Sequence, residues 1–429
     1  MKGQVIKMNS RERVNAALNH EITDRIPFDL GGHVCSGVHA VEMIKLRNKL
    51  GLEKRLPKVI EPMMLVAEVE EDLRQKLGAD CVPITPRGTL LGYRNENYKP
   101  WTLPNGVEIL MGGDFVYTKN PDGSMYSYPE CNASLPPSVK MAKDGLYFDN
   151  ITRQEDLDAK KDWNGREDYH NQYALYSEQD IKDIEEQVDF YWNNTEYALI
   201  GGFYNMGLGD SLHIPGPRIN QPKGIRELSD WMMYMLIKPE YIKEFFEYQT
   251  ELGLENIKTF YKIAGNKLSA IFTTGTDFGS QNGMLISRDL FRELFMPFHV
   301  KVNKWIHENT DWKILIHSCG GVSNIIPDLI EAGFDVINPV QISAAGMEAA
   351  YLKDNFGDKL AFWGGGANPQ GTIMTGSPEE VYEETKRNVE ILGKNGGFIA
   401  GHVHNLQYSV PVENFLAEVQ AIKDAKPNG

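Results

Sequence analysis

Eight times along this chain a short apolar run is followed by a stretch of helical periodicity, and that rhythm restricts the fold more than any other feature. The strand candidates are 25–30, 80–85, 197–203, 268–274, 313–317, 335–338, 360–363 and 397–401. Strands separated by helices predict a parallel sheet, because a parallel neighbour needs a long crossover. Eight such units close most simply into a barrel. The open doubly wound sheet is the alternative, but no G-x-G-x-x-G turn follows an early strand. The expected fold is therefore α/β, a single (β/α)8 TIM barrel over residues 1–429.

Helical patterns are expected over 11–19, 38–50, 241–263, 290–307 and 414–424. Ser377-Pro378-Glu379-Glu380 reads as a capping box with proline at the first helical position, and Gly393 as the stop of that helix. Pro83 weakens the second strand. After that strand, residues 86–150 break the rhythm with Gly, Pro, Tyr and Asn, and their short alternating runs predict a small antiparallel β insertion. The charged stretch 154–192 reads as surface helices.

The formal net charge is -15, which repels phosphate backbones and anionic membranes, so neither nucleic acid nor a lipid surface is an expected partner. No apolar run is long enough to span a bilayer, and the polar N-terminus lacks the apolar core of a signal peptide. Four cysteines without framework spacing fit a reducing compartment, and the expected location is cytoplasmic. A homodimer is compatible with the sequence.

Polar residues gather at the strand ends, which form the catalytic face of a barrel: Asp29, Thr85, Tyr204, Asp277, His317, Gln341 and His402. His317 and Cys319 stand two apart at the end of 313–317, so in extended backbone they share one face. Imidazole nitrogen with soft sulfur suits zinc. An isolated His-x-Cys is common, and a buried core pair is its ordinary meaning. Here it ends a strand, Gly320-Gly321 follows, and His402-Val403-His404 ends another strand. A catalytic zinc takes three protein ligands and keeps one position open. His404 is the first choice for the third ligand and His402 the second. Asp277 is a candidate acid/base, substrate anchor or orienter of a ligand. Tyr204 is a further catalytic candidate, and Asn205, Gln341, Trp363 and His402 are candidate substrate contacts. The glycines Gly364 to Gly366 leave open backbone where a ligand or partner can approach.

These residues resemble the uroporphyrinogen decarboxylase superfamily. The resemblance rests on Ser10-Arg11-Glu12-Arg13-Val14, Asp24-Arg25-Ile26-Pro27, Thr276-Asp277-Phe278-Gly279-Ser280-Gln281, Ile316-His317-Ser318-Cys319-Gly320, Gly396-Gly397-Phe398-Ile399 and Val410-Pro411-Val412-Glu413-Asn414. It covers nearly the whole chain and implies a (β/α)8 barrel with one of two chemistries. One is metal-free decarboxylation of porphyrinogen acetates. Its two N-terminal arginines have no counterpart in Asp29-Leu30-Gly31-Gly32-His33-Val34-Cys35, and Arg218 is the remaining cationic candidate. The other is zinc-dependent methyl transfer to or from a corrinoid.

The methylcobamide:coenzyme M enzymes of the superfamily use His-x-Cys and a distant Cys. His317 and Cys319 match, and the distant position, counted back from Val410-Pro411, falls on His404. Imidazole in place of thiolate leaves about one more positive charge on the metal, a stronger Lewis acid suited to an oxygen leaving group. The resemblance then implies a substrate:corrinoid methyltransferase, the first component of an O-demethylase, with a methoxylated aromatic as methyl donor. The corrinoid would be carried by a separate protein, because the chain has no D-x-H-x-x-G motif. Transfer in the opposite direction is an alternative that the histidine argues against mildly.

Overall fold

The structure is a computed structural model that describes residues 7–427, without the side chain of Tyr204. Seven strands form one curled parallel sheet: β1 (Cys81–Ile84), β2 (Ala198–Gly202), β3 (Leu268–Thr274), β4 (Lys313–His317), β5 (Val336–Asn338), β6 (Ala361–Trp363) and β7 (Phe398–Ile399), adjacent in that order. The chain 25–30, expected as a strand, contributes only an isolated bridge from Phe28 to Ala400. That short piece still links the two edges of the sheet. Asp29 N donates to Ala400 O at 2.8 Å, Ala400 N to Pro27 O at 2.9 Å, and Asp80 N to Phe28 O at 2.7 Å. The result is a TIM-barrel-like α/β fold. Pro83 is tolerated because few ladder bonds are asked of β1 on its Phe28 side.

Side chains alternate along the strands as the two-residue period demands. Ala198 and Ile200, Ala270 and Phe272, Leu315, Val336, Ala361 and Trp363, and Ile399 point inward and pack as one cluster. Val14, Ala17 and Leu18 of the helix Ser10–Leu18 join that cluster and plug one end of the sheet's interior. Ile271, Ile314, Ile316, Ile337 and Phe362 point outward under the helices. The long helix Pro239–Ala264 turns Tyr241, Ile242, Phe245, Phe246, Gln249, Ile257 and Phe260 inward at helical spacing. Ser377 caps Pro378–Leu392 with the expected reciprocal box. Two sequence expectations change. The helix expected over 290–307 is split into Arg288–Leu294 and Met296–Asn309, because Pro297 cannot donate the bond that would carry a helix through Phe295. The helix expected from Val38 begins at Ala40, since Val38–His39 pairs with Val66–Ala67. Within 86–150, a hairpin of Lys99–Thr102 with Glu108–Met111 precedes an antiparallel sheet of Tyr117–Lys119, Met125–Ser127, Val139–Met141 and Asp149–Asn150.

The end of the barrel that holds the Ser10–Leu18 helix is organised by one buried carboxylate. Asp80 accepts from Arg13 Nη1 at 2.8 Å, Arg25 Nη2 at 2.7 Å, Ser10 Oγ at 2.7 Å and Phe28 N at 2.9 Å, and it is fully buried. It joins the first helix, the Phe28 segment and β1. Asp80→Asn leaves Arg25 without its carboxylate partner and Arg13 with Asp24 alone. We expect a loss of about 3–5 kcal/mol in unfolding free energy, measured by urea denaturation. A loss below about 1 kcal/mol would show that this hub does not hold the barrel end together.

Candidate functional site

Parallel pairing sets His317 opposite Asn338. His317 Nδ1 lies 2.6 Å from Asn338 Oδ1, while Asn338 Nδ2 donates to Trp363 O at 3.0 Å. The amide oxygen can only accept, so the proton of His317 sits on Nδ1 and the Nε2 lone pair is free. That lone pair faces Cys319 Sγ at 3.3 Å. Burial lowers His317 to about 4, so the ring is neutral at ordinary pH.

The turn after β4 is held from several directions. Asp277 Oδ1 accepts Cys319 N at 2.7 Å, Ser318 Oγ accepts Phe278 N at 2.8 Å, and Gln341 Oε1 accepts Gly320 N at 2.8 Å. Gly320 has φ +86, and a Cβ there would come 2.4 Å from the Gly279 backbone, so only glycine fits. Burial raises the Cys319 thiol, and the neighbouring Asp277 carboxylate raises it further. Burial likewise raises Asp277.

His404 and His317 lie with ring centroids 5.1 Å apart. Burial lowers His404 to about 3. Its Nδ1 accepts the Asn405 N–H at 2.8 Å, so in the neutral ring the other nitrogen carries the proton, and ligation through that nitrogen requires this bond to be given up and the proton to move to Nδ1. The neighbouring His402 is turned away: its Nδ1 lies 2.8 Å from Glu418 Oε2 on the helix Val412–Asp424. Alternation over residues 402 and 404 would have pointed both rings one way. The backbone bends at 403–405 instead, and the two rings part.

Among the described residues, two sets of donor atoms, each mutually within 4.8 Å, can hold a metal ion. One is Cys35, His317 and His404; the other is Asp277, His317 and Cys319. The sequence-derived trio of His317, Cys319 and His404 is thus divided between two groups that share His317. Sequence reasoning missed Cys35; it stands at the end of the Asp29–Cys35 segment, and only its position just after a strand candidate hinted at it. A tetrahedral zinc with Zn–S of about 2.3 Å and Zn–N of about 2.0 Å sets sulfur and nitrogen roughly 3.5 Å apart. The 3.3 Å pair of His317 and Cys319 fits that spacing. The donor chemistry and the free Nε2 fit it as well.

These groups border a cavity of about 1090 Å³, lined by Asn205, Asp277, His317 and His404 among the sequence-derived candidates. Cys319, Trp363, Gln341 and His402 lie outside its lining. Trp363 is buried and donates Nε1 to Asp29 Oδ2 at 2.9 Å. The candidate side chain of Tyr204 lies outside the described residues, although its backbone starts the short helix Tyr204–Met206 at the end of β2. The open backbone expected at Gly364 to Gly366 is filled by packing: a Cβ on Gly365 would meet Leu392 at 3.0 Å, and one on Gly366 would meet Glu418 at 2.0 Å. The cavity wall adds groups that the sequence did not mark, notably Glu61, Asp210, Tyr98, Tyr173 and His33.

Residues 221–425 match the model of the uroporphyrinogen decarboxylase (URO-D) family. The matched stretch, just under half of the chain, spans β3 to β7 and therefore includes Asp277, His317, Cys319 and His404, whereas Cys35 precedes it. The resemblance drawn from the sequence motifs stands on this match. No curated protein matches the chain. Among solved structures, a methyltransferase from Methanosarcina mazei superposes with a TM-score of 0.52 at 16% identity, covering 97% of this chain and 98% of that one. The likeness is one of fold and extends well beyond the stretch matched to URO-D. No helix among the described residues is long and apolar enough to cross a membrane.

Glu61 makes the electrostatics of the cavity testable. It accepts Met63 N at 2.9 Å and Met64 N at 2.7 Å, and burial raises its carboxyl to about 7 from 4.5. Between those pH values the folded chain keeps a proton that the unfolded chain has released. Its contribution to stability is therefore fully present below pH 4.5 and is lost as pH rises through 7. Glu61→Gln removes this loss. We expect the stability of the native protein relative to the variant to fall by up to about 3 kcal/mol from pH 4.5 to 8, read from urea unfolding at each pH. A pH-independent difference would place the Glu61 carboxyl in contact with water.

Proposed function

We propose that this protein is a zinc-dependent methyltransferase that moves a methyl group from a small substrate, a methoxylated aromatic, to the cobalt of a corrinoid on a separate protein. The observation that carries the reading is the free Nε2 of His317 beside Cys319 Sγ at a strand end opening on a large cavity. His317 and Cys319, with His404 as the third protein donor, would hold the metal. Bound there, zinc supplies Lewis acidity at the atom that loses the methyl group. On this reading the barrel is the full (β/α)8 form, with Phe28 in the eighth position.

The chain's own residues have separable roles. Asn338 fixes the tautomer and direction of His317. Asp277 and Gln341 are positioning residues, because they hold the Cys319 and Gly320 amides and so aim the sulfur. Asn205, Tyr98 and Tyr173 line a wall with room for an aromatic ring. As the methyl departs toward its acceptor, the electron pair of the broken bond remains on the substrate oxygen. A site open on one side to a partner is needed, and the barrel mouth provides it.

Metal-free decarboxylation of a polycarboxylate is the second reading. The cavity cations speak against it, since each has an acid of its own. Lys58 lies 3.5 Å from Glu68, Arg74 3.6 Å from Glu71 and Arg87 3.2 Å from Glu186, while Arg218 pairs with Glu130 at 2.5 Å.

Metal analysis of the native protein and of His317→Ala and Cys319→Ala tests the assignment. One zinc per chain, lost in both variants, is the expected result; a zinc-free native protein would favour the decarboxylase. The native protein should then form methyl-corrinoid from methoxyarenes and a reduced corrinoid protein, followed by the absorbance of the cobalt centre. Failure across a broad panel of ethers sinks the substrate class. Asn338→Ala should weaken zinc binding by about 10–100-fold, measured by chelator competition. Unchanged affinity would mean that the His317 tautomer is set by something else.

A further inference from the structure

Cys35 comes within 4.8 Å of the same histidine from a segment far from it in sequence, and hydrogen bonds fix that segment there. It lies in the short turn Val34–Ser36, just after the segment that links the sheet edges. Gly31 N donates to Ser36 O at 2.8 Å, and Gly32 N to Asp29 Oδ1 at 2.8 Å, which folds the chain back under the cavity. The turn is then fastened to the strand end that carries His404. Gly37 N donates to Asn405 Oδ1 at 2.8 Å, Leu406 N to Gly37 O at 2.9 Å, and His39 N to Leu406 O at 2.9 Å. These bonds bracket Cys35 on one segment and His404 on the other. Far apart in sequence, the two side chains are held on one wall.

The surroundings suit a cation. Cys35 Sγ lies within 4.8 Å of a nitrogen of His317 and of His404. His33, two residues earlier, is 2% exposed and lines the cavity, with its Nε2 3.6 Å from Asp29 Oδ2 and its ring against Phe272 and Trp363. Cys81, equally buried, joins no group of donors among the described residues.

We propose that Cys35 is a second sulfur ligand of the cation held by His317 and Cys319. The proposal rests on the zinc reading above and extends it to a residue that precedes the stretch matched to URO-D. With His404 the set is two nitrogens and two sulfurs. Cys35 and His404 lie within 4.8 Å of one another and of His317, whereas Cys319 groups with His317 and Asp277, so filling the site draws the two groups together to spacings of roughly 3.5 Å. Two thiolates cancel the charge of the dication. The imidazole at position 404 then does not by itself make the centre more positive than one with two cysteines, because the second sulfur has moved to another strand. With four protein donors the metal has no open position, so substrate entry requires one of them to withdraw.

X-ray absorption at the zinc edge counts the sulfurs directly on the full-length, zinc-loaded protein. The expected count is two in the native protein, one in Cys35→Ala and two in the control Cys81→Ala. Zinc bound with one sulfur in the native protein, and with an unchanged spectrum in Cys35→Ala, overturns the role of Cys35 and leaves the zinc reading standing. A native protein that takes up no zinc overturns both. The native count needs no variant, so a variant that fails to fold does not remove the test.

Discussion

The hydrogen bond between His317 Nδ1 and Asn338 Oδ1 is the contact on which the chemistry of this protein depends. It is a product of strand register. A shift of one residue between the strands Lys313–His317 and Val336–Asn338 would put Ile337 beside the ring and leave Nδ1 without an acceptor. Register also makes the bond part of a chain. Asn338 continues to the backbone of Trp363, and the indole of Trp363 to Asp29 in the segment that leads to Cys35. Neighbouring strands and the edge-linking segment are thus tied through the interior by groups that are all buried.

The two ends of the molecule solve different problems. At the end plugged by the helix Ser10–Leu18, charges are paired within the protein, with Asp80 surrounded by Arg13 and Arg25. At the cavity end, Glu61 is buried without a cation beside it, and burial moves it, Asp210 and Asp277 toward their neutral forms. Groups shifted in this way are concentrated around one cavity. The sequence motif Asp24-Arg25-Ile26-Pro27, part of the family resemblance, belongs to the charge-paired end. Its Arg25 holds Asp80, far from any donor of the metal groups.

Much of the architecture was legible because it is local. The two-residue alternation in 268–274 and 313–317 marks strands whose limits agree with the structure, and Ser377 with Glu380 marks a helix start. The first strand candidate shrank to a bridge because its ladder partners lie on short strands at both edges. Pro297 divided a helix whose apolar pattern ran unbroken, since periodicity reports the buried face but not the missing donor. In the site, His317 and Cys319 share a face as extended backbone requires. His402 and His404 do not, because the segment bends where alternation assumed a strand.

The order of residues alone determined the strand–helix alternation, the inward face of each strand and the pairing of an imidazole with a thiol two positions on. All of these follow from backbone periods that operate within a few residues. Tertiary structure alone decided that Glu418 takes His402, that Trp363 turns its indole to Asp29 instead of the cavity, and that Cys35 stands beside His404. Such neighbours are brought together by closure of the sheet across hundreds of residues. No local period encodes that closure; packing and register around the whole barrel do.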